Sequence, residues 1–202
     1  MAKRTSLELA CRCGACALSL DVSGWGSASR VVCYCDDCQT AARALGAQAA
    51  VLGPGSGTQI VQTTPDRIRL LRGAESLRIL RLSPRGLLRW YAGCCDTPML
   101  NTLPNLKLPF VGAVIRPDRV EDVAQALGRR PAHVFTTTAR PRADAPRKDV
   151  GFAAAGFAVL RRMLVAALAG RAKLSPLRGQ DAAPIAPVRV LTAEERHDAR
   201  PG

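Results

Sequence analysis

Eight cysteines in three tight groups limit how this chain of 202 residues can fold more than any other feature. Cysteines one or two residues apart rarely reach the Cα separation and the Cβ directions that a disulfide requires. The same spacing suits metal binding, and four-coordinate thiolate sites are typical of zinc. The sequence therefore predicts zinc ligands rather than disulfides. The three groups are Cys11/Cys13/Cys16, Cys33/Cys35/Cys38 and Cys94-Cys95.

The start of the chain supports the same interpretation of the thiols. Residues 1–6 carry charge, but no apolar run of the kind that forms a signal-peptide core follows them. We therefore expect a cytoplasmic location, where thiols stay reduced. In a secreted chain the same cysteines would instead indicate a disulfide framework.

Short alternations of apolar and polar residues recur along residues 1–127, as in Leu77–Leu82. This period is typical of half-buried strands, and the separators between them are rich in Gly, Pro, Ser and Asp, which form turns. The pattern predicts a mainly β fold of antiparallel sheets. The predicted strands are Leu7–Ala10, Ala17–Val22, Arg30–Tyr34, Ala47–Leu52, Gln59–Thr63, Arg67–Leu71, Leu77–Leu82, Leu87–Tyr91 and Val111–Ile115.

Helices are predicted at three places. The first should begin with Asp36 or Asp37 as its N-cap and continue to Ala44. Residues 120–127 form a second, short helix. A C-terminal α-helix, rich in Ala and Leu, is predicted over residues 153–169.

Charge and composition divide the chain into three parts. Residues 1–127 form the zinc-binding β domain, residues 128–150 a basic, proline-rich arm, and residues 151–202 a helix and tail that pack on the domain or stay loose. Residues 129–178 hold eleven Lys and Arg against only Asp144 and Asp149. That excess suits an anionic partner, although it is also the ordinary solubilising charge of a chain rich in Ala and Arg. We favour the second interpretation.

The segment from Gly151 to Gly170 is long and apolar enough to raise the question of a membrane span. Arg161 and Arg162 lie at its centre, where charge is costly in a bilayer, so no transmembrane span is predicted. A helix packed on the domain is the favoured interpretation. A helix lying at a membrane interface is the alternative.

The middle cysteine group lies where a strand passes into a helix. Extended backbone directs Cys33 and Cys35 to the same side, and the turn brings Cys38 round to meet them. Cys38 falls in the first helical turn, where free N–H groups and the helix dipole favour a thiolate. Three ligands leave one coordination position open, as in catalytic zinc sites, unless a distant cysteine completes a structural site. The residues alone leave both readings open.

The first and third groups are predicted to share a second metal. Cys11 and Cys13 follow the first strand, and Cys94-Cys95 follow the strand over residues 87–91. Paired strands would bring these segments together. Adjacent cysteines bind one ion only with strain, so Cys16 is an alternative ligand.

Three ordered motifs resemble the glutathione-dependent formaldehyde-activating enzyme family, which includes centromere protein V. They are Cys11-Arg12-Cys13-Gly14, the segment Val31–Cys38, and the segment from Ser83 through Cys95-Asp96-Thr97. The resemblance covers roughly residues 5–115 and is to an uncharacterised branch of the family. It implies a β-tent (Mss4-like) fold of antiparallel sheets around two zinc ions.

The resemblance also implies roles for individual cysteines. Cys33, Cys35 and Cys38 would hold the zinc with an open position, and Cys11, Cys13 and Cys95 would bind the structural zinc. The family's remaining structural ligand falls at Ala92, so Cys94 or Cys16 would take its place. Two further departures are Tyr34 where the family has His, and Asp96 where it has Gly.

Two functions follow as expectations. The first is a carbon–sulfur lyase acting on a small-molecule thiol or thiol adduct, with glutathione as the family's thiol and no base identifiable in the sequence. The alternative is a non-catalytic zinc module that binds an anionic partner through its basic C-terminal arm. Nucleic acid is not favoured, because no recognition motif or aromatic stacking platform is present. The sequence leaves the oligomeric state open.

Overall fold

The computed structural model describes residues 5–179 and 181–202, whose strands form two sheets. The smaller sheet is antiparallel throughout, in the order β1–β2–β5. It consists of β1 (Ser6–Ala10), β2 (Ala17–Asp21) and β5 (Ile68–Arg72). The larger sheet has eight strands in the order β10–β3–β4–β9–β8–β7–β6–β11. These are β3 (Ser29–Cys33), β4 (Thr58–Thr63), β6 (Leu77–Arg81), β7 (Leu88–Ala92), β8 (Thr97–Thr102), β9 (Val111–Val114), β10 (Ala132–Val134) and β11 (Val188–Val190).

The two end strands of the larger sheet differ from the rest in direction. The inner strands pair antiparallel, whereas β10 runs parallel to β3 and β11 runs parallel to β6. His133 lies opposite Val32, and Arg189 opposite Leu80. Residues beyond 127 therefore extend the sheet of the β domain at both ends.

The main core combines side chains of both sheets. Leu18 and Leu20 of β2 belong to the same buried cluster as Trp90 and Leu100 of the larger sheet. Trp90 is fully buried, and its Nε1–H donates to Thr102 Oγ1 at 3.0 Å, which satisfies the one polar atom of the indole. The alternating pattern of the sequence thus places apolar residues inside, and the prediction of a mainly β fold with a C-terminal helix is confirmed.

Two predicted details of the β domain are wrong. The strand expected over Ala47–Leu52 is a short helix, α2 (Gln48–Val51), whose Val51 packs on Ala42 and Val114. Gln and Ala are good helix formers, so the Gln-Ala-Ala-Val sequence favours a helix over a strand. Strand β8 was not predicted, because Pro98 breaks the pattern of a strand. A register shift between Trp90 and Tyr91 lies opposite Pro98 and accommodates it.

Three other helices lie close to their predicted positions: α1 (Asp36–Ala44), α3 (Val120–Leu127) and α4 (Phe152–Leu168). A further helix near the C-terminus, α5 (Ala193–Asp198), was not predicted. The N-cap of α1 is Cys35 rather than Asp36 or Asp37, and both aspartates lie in the first turn, where the helix dipole favours carboxylates. None of the helices within the described residues has the length and apolar character needed to cross a membrane.

Candidate metal centres

Four thiols from two distant parts of the chain meet at one end of the fold. Cys11 and Cys13 lie in the loop between β1 and β2, and Cys94 and Cys95 in the turn between β7 and β8. Their sulfur atoms all lie within 4.8 Å of one another. This four-cysteine cluster joins a loop of the smaller sheet to a turn of the larger sheet.

The sulfur separations match a tetrahedral ion site. Cys11 Sγ lies 3.5 Å from Cys13 Sγ and 3.8 Å from Cys94 Sγ, and Cys13 Sγ lies 3.4 Å from Cys94 Sγ. Sulfurs about 2.3 Å from a central zinc ion are separated from one another by roughly 3.8 Å. All eight cysteines are free thiols, so none of these contacts is a disulfide. The four-cysteine cluster can hold a metal ion.

Neighbouring groups stabilise charged sulfur in this cluster. The backbone N–H of Cys16 donates to Cys11 Sγ at 3.3 Å, and Thr97 Oγ1 lies 3.1 Å from Cys95 Sγ. Desolvation alone would raise the pKa of Cys95, but hydrogen bonds from Thr97 and the backbone of Cys13 hold it at about 6. A thiol that ionises this readily is a good metal ligand.

Cys94 and Cys16, the two alternatives for the fourth sulfur ligand, lie in different surroundings. Cys94 contributes its sulfur to the cluster, whereas Cys16 Sγ is not among the grouped ligand atoms. Cys16 is buried, and desolvation raises its pKa to about 11, which keeps it a neutral thiol. Ala92, where the resembling family has a ligand, is buried in the main core. Asp96 adopts a φ of 54°, a left-handed conformation that Asp tolerates, so the turn does not require glycine at this position.

The second cluster consists of Cys33, Cys35 and Cys38, whose sulfurs also lie within 4.8 Å of one another. Cys33 ends β3, Cys35 caps α1, and Cys38 lies in the first turn of that helix. Cys38 Sγ is 3.8 Å from Cys33 Sγ, and the N–H of Cys38 donates to Cys35 Sγ at 3.4 Å. This three-cysteine cluster can also hold a metal ion.

The pKa values of the thiols in the three-cysteine cluster are shifted in opposite directions. Hydrogen bonds from Cys33 and Cys35 and the Arg89 guanidinium hold the pKa of Cys38 well below its ordinary value. Hydrogen bonds to Cys35 and Cys38, together with burial, raise the pKa of Cys33. Without a metal the cluster therefore stabilises one thiolate with two thiols, and a bound cation would favour loss of the remaining protons.

A pocket of about 530 Å³ opens beside the three cysteines. Apolar side chains form much of its wall, with polar groups of Arg89, Asn101 and Gln62 among them. The arm closes one side through Phe135, Thr137 and Thr138. The remaining lining residues are Asp36, Asp37, Ile60, Leu87, Phe110 and Gly112.

Arg89 is the buried charged residue of the pocket. It lies in β7 and is only 6 % exposed, although arginines are mostly found at the surface. One guanidinium nitrogen lies 4.0 Å from Cys38 Sγ and 3.5 Å from Asn101 Oδ1, and the other 3.8 Å from Asp37 Oδ2. Its Nε is buried without a hydrogen-bond partner among the described residues. Its place in the motif, six residues before Cys95, was the available signal.

Tyr34 does not line the pocket but fastens the arm to the β domain. Its ring packs with Val32, Ala139 and Ala145, and its hydroxyl lies 3.1 Å from His133 Nδ1. Nearby, the Gln39 side-chain amide donates to the backbone carbonyls of Tyr34 and Thr138. Tyr34 therefore contributes to the contact between the arm and the β domain.

Tyr34→Phe is expected to lower the free energy of unfolding by about 1 kcal/mol, because it removes one partly buried hydrogen bond and leaves the ring in place. Urea unfolding measures this loss. Tyr91→Phe, a half-buried tyrosine in β7 outside the contact, is the matched control. Equal stability of Tyr34→Phe and the parent chain would show that the His133 contact contributes nothing.

Comparison with known proteins gives a family match over most of the chain and partial likeness to solved structures. The model of DUF6151, a family of unknown function, matches residues 1–189. A crystal structure of a Rhodobacter sphaeroides protein, a structural genomics target, is 21 % identical with a TM-score of 0.35, and covers 53 % of this chain and 83 % of that one. Among curated proteins there is no match. Because the family model extends over nearly the whole sequence, the chain belongs to the DUF6151 family.

Proposed function

We propose that this chain binds two zinc ions in a β-tent fold and is a carbon–sulfur lyase of the glutathione-dependent formaldehyde-activating type. The observation that carries this proposal is the opening of the three-cysteine cluster into a pocket of about 530 Å³. A cluster with four sulfurs is complete in protein ligands, as structural zinc sites are. A cluster with three protein ligands leaves room for a substrate, as catalytic sites do.

The donor set supports zinc as the metal at both centres. Cysteine thiolates are soft ligands that select zinc, copper(I) or iron–sulfur clusters over magnesium and calcium. The sulfur separations of the four-cysteine cluster suit tetrahedral coordination by a single ion. Zinc has no redox chemistry of its own, which suits a reaction in which nothing is oxidised or reduced.

The proposed reaction splits an S-hydroxymethyl thiol into a free thiol and formaldehyde. The carbon–sulfur bond breaks with its electron pair going to sulfur, the hydroxyl oxygen forms the carbonyl, and its proton passes to the departing sulfur. Zinc bound at the three-cysteine cluster would supply a Lewis acid for this exchange. The carboxylates of Asp36 and Asp37 line the same pocket, so they are the groups that would carry the proton.

Arg89 and Asn101 would orient the adduct. A buried guanidinium with an unpartnered Nε can bind a carboxylate more strongly than a surface arginine, since little water competes. Apolar groups such as Ile60, Phe110 and Phe135 would exclude water from the reacting carbon. A small, anionic thiol adduct fits this combination.

The alternative, a non-catalytic module that binds an anionic partner through its arm, has less support. Arg140 contacts Asp36 and the Thr138 carbonyl, both at 2.7 Å, and Arg142 donates to the Pro146 carbonyl at 2.7 Å. Arg129 pairs with Glu121 at 2.6 Å. These arm arginines are engaged within the chain, which leaves fewer of them for a partner.

Cys35→Ser tests the proposal. Removal of one of three ligands is expected to lower the release of formaldehyde from S-hydroxymethylglutathione by about a hundredfold or more, because metal assistance supplies several kcal/mol of transition-state stabilisation. Cys35 is partly exposed and outside the main core, so the circular dichroism spectrum should be unchanged. Cys16→Ala, a cysteine outside both clusters, should retain turnover. Full turnover in Cys35→Ser, or a purified protein without zinc, would refute the proposal.

A further inference from the structure

Helix α4 exposes four of its large apolar side chains. Its buried positions are Ala155, Arg162 and Ala166. The four large residues of its opposite face are spaced three or four apart, so they form one continuous stripe. This stripe, called here the α4 face, consists of Phe157 (70 % exposed), Leu160 (66 %), Leu164 (60 %) and Leu168 (81 %).

The inner side of α4 is anchored to the β domain by packing and by hydrogen bonds. Ala155 packs into the small cluster around Val31 and Cys33, and Arg162 donates to Ser29 Oγ at 2.7 Å and to the Gly26 carbonyl at 3.4 Å. A surface helix normally turns its large apolar residues inward. Here the contacts of Ala155 and Arg162 fix the rotation of the helix about its axis, so the α4 face points away from the protein.

Trp25 extends the α4 face. It is 96 % exposed, and the Arg161 guanidinium lies 5.8 Å from the centre of its ring. Leu174, just beyond the helix, is 67 % exposed. Exposed tryptophan beside arginine and aliphatic side chains is the composition that proteins place at the boundary between lipid headgroups and acyl chains.

The charges that α4 and the segment after it contribute are of one sign. Between Asp149 and Asp181 the sequence has five Lys and Arg residues and no Asp or Glu. Arg162 is buried, and Arg171 pairs with Asp66 at 3.5 Å, but Arg161 and Lys173 form no ion pair with a described residue. A second copy docked on this face would bring like charges together. An anionic surface would instead complement them.

We propose that the α4 face docks on an anionic lipid bilayer, with the helix lying in the plane of the interface. The four large apolar residues and Trp25 enter the boundary between headgroups and acyl chains, while Arg161 and Lys173 contact lipid phosphates. Apolar burial and attraction to anionic lipid then act together, as in other interfacial helices. This site is separate from both cysteine clusters.

The chain carries its own fluorescent reporter for the test. Of its two tryptophans, Trp25 is almost fully exposed and Trp90 is fully buried. Mixing the full chain with phosphatidylcholine vesicles that contain phosphatidylglycerol should shift the emission to the blue and protect it from iodide. Phosphatidylcholine vesicles alone should produce a much smaller shift, and added salt should weaken binding. Trp25→Phe should abolish the shift but retain cosedimentation with the vesicles.

Variants of the α4 face provide the decisive comparison. Leu160→Glu and Leu164→Glu alter exposed positions, so the fold should survive, and each should weaken vesicle binding by about tenfold or more. Leu71→Glu, a 47 % exposed leucine on β5, is the matched control and should bind like the parent chain. Two outcomes would overturn the proposal: no binding to anionic vesicles, or a dimer that Leu160→Glu dissociates.

Discussion

Cys11→Ser is expected to remove one of the two zinc ions proposed for each chain and to lower the free energy of unfolding by about 4 kcal/mol or more. The magnitude follows from the large share of folding energy that a structural zinc supplies. The four-cysteine cluster connects the β1–β2 loop to the β7–β8 turn, more than eighty residues away in sequence. Loss of the ion would free these two segments from one another.

Metal analysis and urea unfolding of the same preparations measure both effects. Cys33→Ser should also lose one ion, but it should lose less stability, because its three ligands lie within six consecutive residues. Cys16→Ala should keep both ions, since its sulfur is outside the clusters. Two ions retained in Cys11→Ser, or both lost in Cys33→Ser, would contradict two separate sites.

Gly73→Ala is expected to cost about 2–5 kcal/mol of unfolding free energy, as the sum of a left-handed backbone penalty and overpacking. Gly73 has a φ of +69°, and an added Cβ would lie 2.5 Å from the Ala15 carbonyl oxygen and 2.8 Å from Cys16 Cα. Both atoms are backbone atoms of the loop that carries the first cysteine group. The loop must therefore move, and the four-cysteine cluster should release its ion faster to a chelator.

Gly46→Ala separates the two causes. Gly46 has a φ of +59°, but no atom lies within 4 Å of its added Cβ. Its substitution should cost only the backbone penalty, about 1–2 kcal/mol, with no change in metal release. Thermal unfolding and chelator competition on both variants make the comparison. Equal losses in both would show that the packing of Gly73 on the cysteine loop is unimportant.

Local patterns predicted much of the β domain. Alternation of apolar and polar residues, as in Leu77–Leu82, indicates a strand with one buried face. The structure has β6 at this position. Short Ala-rich segments are ambiguous, so residues 48–51 were assigned to the wrong element. Pro98 hid β8, because only the register of the neighbouring strand shows where a proline is tolerated.

In the candidate sites, too, the features set by local sequence could be predicted and those set by tertiary packing could not. Cysteine spacing alone predicted the three-cysteine cluster, because all its ligands are local. The choice between Cys94 and Cys16 depended on how a distant turn meets the β1–β2 loop, which no local pattern encodes. The burial of Arg89 and the approach of Phe135 from the arm likewise depend on tertiary packing. The β-tent assignment and the reaction remain predictions from the resemblance.

The parallel pairings of β10 with β3 and of β11 with β6 have a consequence for solubility. An open strand edge presents unpaired N–H and carbonyl groups that can recruit strands from other molecules. In this chain the segments after residue 127 cover β3 and β6 with strands of only three residues each, too short to act as efficient templates. A chain cut at residue 127 would keep all eight cysteines but expose both edges. We therefore expect the chain cut at residue 127 to self-associate more readily than the full chain, because both edges of its larger sheet would be open.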